Sequence, residues 1–218
     1  MDKADDDTMR AGAAVDAPIA FALELDKLKA VTRKTQTLHA GRYENSAEHS
    51  WQIALFAMAL AGFAEPGTDI GRVVRMLLVH DVGEIDTGDT LVYVEDGWEA
   101  RKAAERVAVG RIFGLAPQAA ADAFHALWEE FEDGTTREAR FAHAIDRAMP
   151  ALINLANDGQ SWRENGVAHA RVVARIGPPI AEGCPALWAW MEPRLAAANA
   201  AGWYGLGPGD GPGDGTGR

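Results

Sequence analysis

The chain has 218 residues, 48% of them hydrophobic, which is enough for one folded domain with a substantial core. Its formal net charge of −11 and the lack of a Lys/Arg stripe argue against a nucleic-acid groove, which needs a concentrated basic surface to release counterions. A small phosphorylated substrate stays possible, because a bound divalent ion and a few local cations outweigh global charge at short range. Cys184 has no second cysteine to pair with, the start MDKADDDTMR is acidic where a secretory leader is basic, and no apolar run approaches the roughly 18 residues of a membrane span. The expectation is a cytoplasmic protein that binds neither nucleic acid nor membrane.

Residues 1–16 are polar, acidic and alanine-rich, and 205–218, GLGPGDGPGDGTGR, are nearly all Gly, Pro, Asp and Thr. Both are expected to be disordered ends, leaving one domain over 17–204. Within it, apolar residues recur at three- and four-residue intervals without alternating Val/Ile/Thr runs, so the expected fold class is all-α. The first helix is expected over Ile19–Thr32, followed by a loop through Gly41. A second helix starts at Ser46, with Asn45 as N-cap and Glu48 closing a capping box, which puts His49 in its first turns. A third begins after Asp69 and runs through RVVRMLLVHDVGEI until Thr87-Gly88-Asp89 stops it. Helices over Glu99–Phe113, Pro117–Glu132, Arg137–Asn157 with a kink at Pro150, Val167–Ile176 and Pro179–Ala200 complete the bundle.

The third helix ends in His80, Asp81, Glu84, Asp86 and Asp89 within ten residues. Apolar helices rarely end that way for packing alone. His49, His80, Asp81 and Asp146 together form two imidazoles and two carboxylates, which hold lone pairs or negative charge at neutral pH and leave positions for water and substrate on a divalent ion. His80 and Asp81 lie about 100° apart around a helix, so both reach one ion only if it sits between their directions. Taken singly, each is ambiguous. A histidine in an apolar helix is more often a satisfied core residue, and Asp146 in FAHAIDRAMPALI has Arg147 as an available partner for a carboxylate that is costly to bury alone. No short-range metal motif such as HExxH or CxxC occurs.

The segments ENSAEHSWQIALFAMAL, VVRMLLVHDVGEIDTGD, ALWEEFEDGTTREARFAHAIDR and NDGQSWRENGV resemble the HD-domain phosphohydrolase superfamily over roughly Leu25 to Gly166. The likeness is to its branch of bacterial 5′-deoxynucleotidases and related eukaryotic HD-domain-containing proteins. This resemblance implies an HD-domain helical bundle with a metal site at its centre and one divalent ion on His49, His80, Asp81 and Asp146. It also implies hydrolysis of the 5′-phosphate of (deoxy)nucleoside monophosphates by activated water, and a homodimer. Nitrogen and oxygen ligands suit Mn²⁺, Co²⁺, Fe²⁺, Ni²⁺, Zn²⁺ or, less well, Mg²⁺. By position in the matching motifs, Glu84 is the catalytic acid/base, Arg33 orients the phosphate and Asp89 contacts the substrate. General chemistry agrees: the attacking water needs a carboxylate to take its proton, and phosphoryl oxygens need a fixed cation.

One departure concerns the sugar. Where the deoxynucleotidases carry a tryptophan after the arginine, this chain has Lys34 and Thr35, which leaves ribose against deoxyribose open and makes Lys34 a candidate contact for further phosphates. A nucleoside triphosphate or another small phosphate ester is the second reading. A non-catalytic nucleotide-binding module is a third, weakened because such modules usually lose ligands and none is missing. His125 and His143 lie where dinuclear relatives carry further metal histidines, which this branch does not need. His39 and His169 are expected on the surface, and Glu44, Glu48, Asp86, Glu129 and Glu130 in caps, supporting contacts and solvated faces. Trp51, Trp128 and Trp162 are expected in the core or a dimer interface.

Overall fold

A computed structural model of the chain describes residues 15–91, 93 and 97–205. The expected disordered ends lie outside the described residues except at 15, 16 and 205. Residues 15 and 16 already belong to the first helix, α1 (residues 15–25), and Gly205 donates its N–H to the Val167 carbonyl. Among the described residues no helix is long and apolar enough to cross a membrane.

Among the described residues the architecture is a helical bundle with one small hairpin. Helix α1 does not continue to Thr32: a 3₁₀ turn (Asp26–Ala30) follows, and then β1 (Thr32–Gln36) pairs antiparallel with β2 (Tyr43–Asn45), Thr32 opposite Asn45 and Gln36 opposite Tyr43. The expected loop through Gly41 is therefore the turn of a hairpin, and Gly41 sits at φ 62°, a conformation that suits glycine. Helix α2 (Ser46–Ala59) starts directly after β2. Its capping box forms as the sequence requires, Asn45 Oδ1 accepting from the Glu48 N–H at 2.9 Å and the Glu48 carboxylate accepting from the Asn45 N–H at 3.2 Å.

Helix α3 (Ile70–Val79) is capped by Asp69, as expected. It does not run on to Ile85. After His80 the chain passes through a turn closed by Glu84 N–H to Asp81 O and Ile85 N–H to Val82 O bonds, then enters the single turn α4 (Glu84–Thr87). Gly83 permits this: a Cβ there would stand 3.2 Å from Val109 Cγ1 and 3.3 Å from the Glu105 carbonyl, so the turn sits tightly against the next helix. That helix is α5 (Trp98–Phe113), followed by α6 (Gln118–Asp133) and α7 (Arg137–Ala156).

Helix α7 is the centre of the bundle, packing against α2, α3, α6 and α9. Its Phe141, Ala142, Ala144, Ile145 and Ala148 are fully or almost fully buried, and the small side chains let neighbouring helices approach closely. Pro150 lies inside α7. One turn on, Asn154 Nδ2 donates to the Pro150 carbonyl while its Oδ1 accepts from the Ser161 and Trp162 N–H groups, starting the short α8 (Gln160–Glu164).

The last two helices divide elsewhere than expected. Helix α9 (His169–Gly183) runs through Pro178 and Pro179, and the break falls at Cys184, before α10 (Pro185–Ala200) with Pro185 in its first turn. Val172, Ile176 and Ile180 form a continuous buried stripe at four-residue spacing, and burying it outweighs the hydrogen bonds that the prolines remove. Gly183, the last residue of α9, lies directly against α7: a Cβ there would be 2.0 Å from the Arg140 carbonyl oxygen. Trp128 and Trp162 are core residues, whereas Trp51 is 62% exposed.

Candidate metal centre

Three helices carry the candidate ligands to one point. His49 comes from the first turn of α2, His80 and Asp81 from the end of α3, and Asp146 from the middle of α7. His49 is fully buried, and His80 and Asp146 nearly so. One potential ligand atom from each of His49, His80 and Asp81 lies within 4.8 Å of the other two. Asp146 Oδ1 joins them, 3.0 Å from His49 Nε2 and 3.6 Å from His80 Nε2, and His80 Nε2 is 3.0 Å from Asp81 Oδ1.

The imidazoles are oriented for ligation. His80 Nδ1 lies 2.9 Å from the Leu77 carbonyl, and donating to it leaves Nε2 with a lone pair facing the cluster. That Nε2 is buried and has no hydrogen-bond partner. Two imidazoles and two carboxylates, one of the nitrogens unsatisfied, fit a divalent cation of the borderline type.

The electrostatics point the same way. Burial opposes charge on His80, yet the Asp81 and Asp146 carboxylates overcome it and raise its pKa to about 10. His49 goes the other way, to about 4, because burial dominates and the Arg33 cation adds to it. Asp81 is held down to about 2 by His80 and Arg33, and Asp146 well below the carboxylate range by Arg147 and the two histidines, both against the effect of burial. The carboxylates therefore stay ionised, and a cation among them would replace the proton they hold on His80. Glu84 differs: burial, reinforced by Asp81, lifts its pKa well above the ordinary value. Its Oε2 accepts from Ser46 Oγ at 2.5 Å.

Arg33 of β1 is buried among acids. Its Nε lies 3.2 Å from Glu44 Oε1, and its Nη1 lies 3.1 Å from Asp81 Oδ2 and 3.3 Å from Asp89 Oδ1. Those acids keep it charged despite burial. One cavity is lined by Arg33, Lys34, His80, Asp81, Glu84, Asp89 and Asp146 together with Tyr93, Trp98, Lys102, Arg147 and Trp162. The fold thus brings Arg33, Lys34, His80, Asp81, Glu84, Asp89 and Asp146 to one cavity, with His49 fully buried against Asp146 beside it. Arg147 Nη1 pairs with Asp146 Oδ2 at 3.6 Å, the partnership the sequence offered.

The other histidines lie elsewhere. His143 Nε2 is 2.6 Å from the Phe131 carbonyl, and His125 packs edge-on against Phe113. His169, expected on the surface, is half-buried: it packs edge-on against Tyr204, and its Nε2 is buried. Ser46 was overlooked in the sequence, where only its place at the head of α2 beside Asn45 marked it.

A model of the HD domain matches residues 25–188. The chain belongs to the HD domain family. A crystal structure of a predicted metal-dependent phosphohydrolase from Magnetospirillum magnetotacticum MS-1 is similar to this HD domain, with a TM-score of 0.80 and 41% identity, covering 88% of this chain and 97% of that one. Human 5′-deoxynucleotidase HDDC2 is 29% identical over 111 residues, 51% of this chain and 53% of that protein. The 5′-deoxynucleotidase YfbR of Escherichia coli O127:H6 is 30% identical over 146 residues, 62% and 73% of the two chains. The chain spans about half the length of the HDDC2 relatives it matches.

Proposed function

We propose that this HD domain is a metal-dependent phosphohydrolase that removes the 5′-phosphate of (deoxy)nucleoside monophosphates, with His49, His80, Asp81 and Asp146 holding one divalent ion. The observation that carries the reading is the convergence of Arg33, Glu84 and Asp89 on the same cavity that exposes His80, Asp81 and Asp146. A bound divalent ion would supply Lewis acidity towards a phosphoryl oxygen and lower the pKa of water. The Arg33 guanidinium, fixed by Glu44, Asp81 and Asp89, offers directed donors to the phosphate oxygens. Glu84, with its pKa lifted by burial and Asp81, takes the proton of the attacking water and can return one to the leaving oxygen. Asp89 accepts a hydrogen bond from a sugar hydroxyl.

A second reading, a nucleoside triphosphate or other small phosphate ester, is favoured by one observation: Lys34 lines the cavity beside Arg33 and Asp89. The cytoplasmic setting expected from the lone Cys184 and the acidic start belongs to the same proposal, as does the homodimer that the family resemblance implies. The exposed Trp51, Leu55 and Met58 on one face of α2 are where its contact would be sought by light scattering of face variants.

Metal-stripped protein reloaded with Mn²⁺, Co²⁺ or Mg²⁺ is the test, with phosphate release measured across ribo- and deoxyribonucleoside mono- and triphosphates. Orthophosphate from deoxyribonucleoside monophosphates is expected. Tripolyphosphate or stepwise phosphate from triphosphates alone would favour the second reading, and a metal-loaded protein inert towards the whole panel would contradict both nucleotide substrates and point to another small phosphate ester or a non-catalytic nucleotide-binding module.

A further inference from the structure

The hairpin has a side chain whose placement the reading above does not use. Glu44, on β2, is 3% exposed, a burial that a carboxylate tolerates only with partners. Its Oε1 is 3.2 Å from Arg33 Nε on the neighbouring strand and 3.8 Å from His49 Nδ1, in the helix that begins two residues after it. His49 Nδ1 is itself fully buried and has no hydrogen-bond partner. Its Nε2 faces Asp146, so the proton of a neutral, ligating His49 belongs on Nδ1. A buried N–H without an acceptor is expensive, and Glu44 Oε1 is the carboxylate oxygen beside it.

From this geometry we propose that Glu44 is a positioning residue that ties the metal-binding half of the site to the phosphate-binding half, accepting from His49 Nδ1 and from Arg33 Nε through one carboxylate. The inference rests on the metal-ligand and phosphate roles given to His49 and Arg33 above. Glu44 fixes the His49 tautomer and ring plane, as carboxylates commonly do behind metal-ligating histidines, and holds the Arg33 guanidinium towards the cavity. The hairpin supplies the rigidity. Ser46 N–H donates to the Val31 carbonyl at 3.1 Å, just before β1, and Asn45, next to Glu44, caps α2, so the hairpin is bonded to the start of the helix.

The experiment is a Co²⁺ titration of metal-stripped full-length protein, followed by visible absorption, together with KM and kcat on a deoxyribonucleoside monophosphate. For Glu44→Gln, which keeps the size but loses the charge, Co²⁺ binding is expected to weaken about 10–100-fold, with an altered absorption band and a raised KM. Glu44→Asp keeps the charge with a shorter reach and should fall between Glu44→Gln and the wild type; it carries the test if Glu44→Gln does not fold. Glu48→Gln, which removes a carboxylate from the exposed cap of the same helix, should leave Co²⁺ affinity within about twofold. Wild-type protein that binds Co²⁺ while both Glu44 variants match it in affinity, spectrum and KM would overturn the role of Glu44 alone. Wild-type protein that binds no Co²⁺ would overturn the metal site and this inference with it.

Discussion

The side of α7 that faces the hairpin and α3 buries charge, gathering Arg33, Glu44, His49, His80, Asp81 and Asp146 within a few ångströms, whereas the side that faces α9 buries hydrocarbon, with Val172, Ile176 and Ile180 among its closely packed residues. On the charged side each group is unfavourable alone and is held by reciprocal partners. On the apolar side no single contact matters as much as the fit, shown by Gly183 lying where even a methyl group would meet the α7 backbone. Adjacent residues of α7 show both kinds of burial: Ile145 is fully buried in the hydrophobic core, and Asp146 lies among the charges. Changes on the first side should remove function, and changes on the second should remove stability.

The largest effect is expected from Asp81→Ala or His80→Ala, which should abolish turnover together with metal binding, read as the loss of bound metal by elemental analysis. Glu84→Gln sharpens the contrast within the charged side. It should retain metal and lose about 10²–10⁴-fold in kcat, the usual contribution of a positioned acid/base; full activity would remove that role from Glu84. Ile145→Ala, one residue from a candidate ligand but fully buried in the apolar regime, should destabilise the fold by about 2–5 kcal/mol in urea denaturation, while the folded fraction still binds metal. Smallest is Asn45→Ala. It removes one half of the capping box, and a loss of about 1 kcal/mol is expected, with metal content unchanged.

The two regimes were unequally legible in the sequence. Features written in adjacent residues could be read directly: the Asn45/Glu48 box, the Asp69 cap, and the starts of α5, α6 and α7 within a residue or so. The ligand set was ambiguous residue by residue and became readable only as an ordered pattern, because the partners that make burial tolerable come from three helices. The hairpin was missed since TRKTQ has no alternating apolar face. Its burial depends on distant groups, such as the Gln160 side chain that accepts from the Gln36 N–H and the Asp81 that holds Arg33. Glu44 was legible only as a supporting acid, because its two partners become neighbours only once the strands pair. The end of α3 at Val79 and the continuation of α9 through Pro178-Pro179 share one cause: local signals gave way to packing against α5 and α7.

The most direct test of the central claim is phosphate release from deoxyadenosine 5′-monophosphate by wild-type and Asp81→Ala protein, each metal-stripped and then reloaded with Mn²⁺. The account predicts no release from either stripped protein, recovery in the reloaded wild type and none in the reloaded variant. Equal release from stripped and reloaded wild type, or recovery in Asp81→Ala, would contradict it.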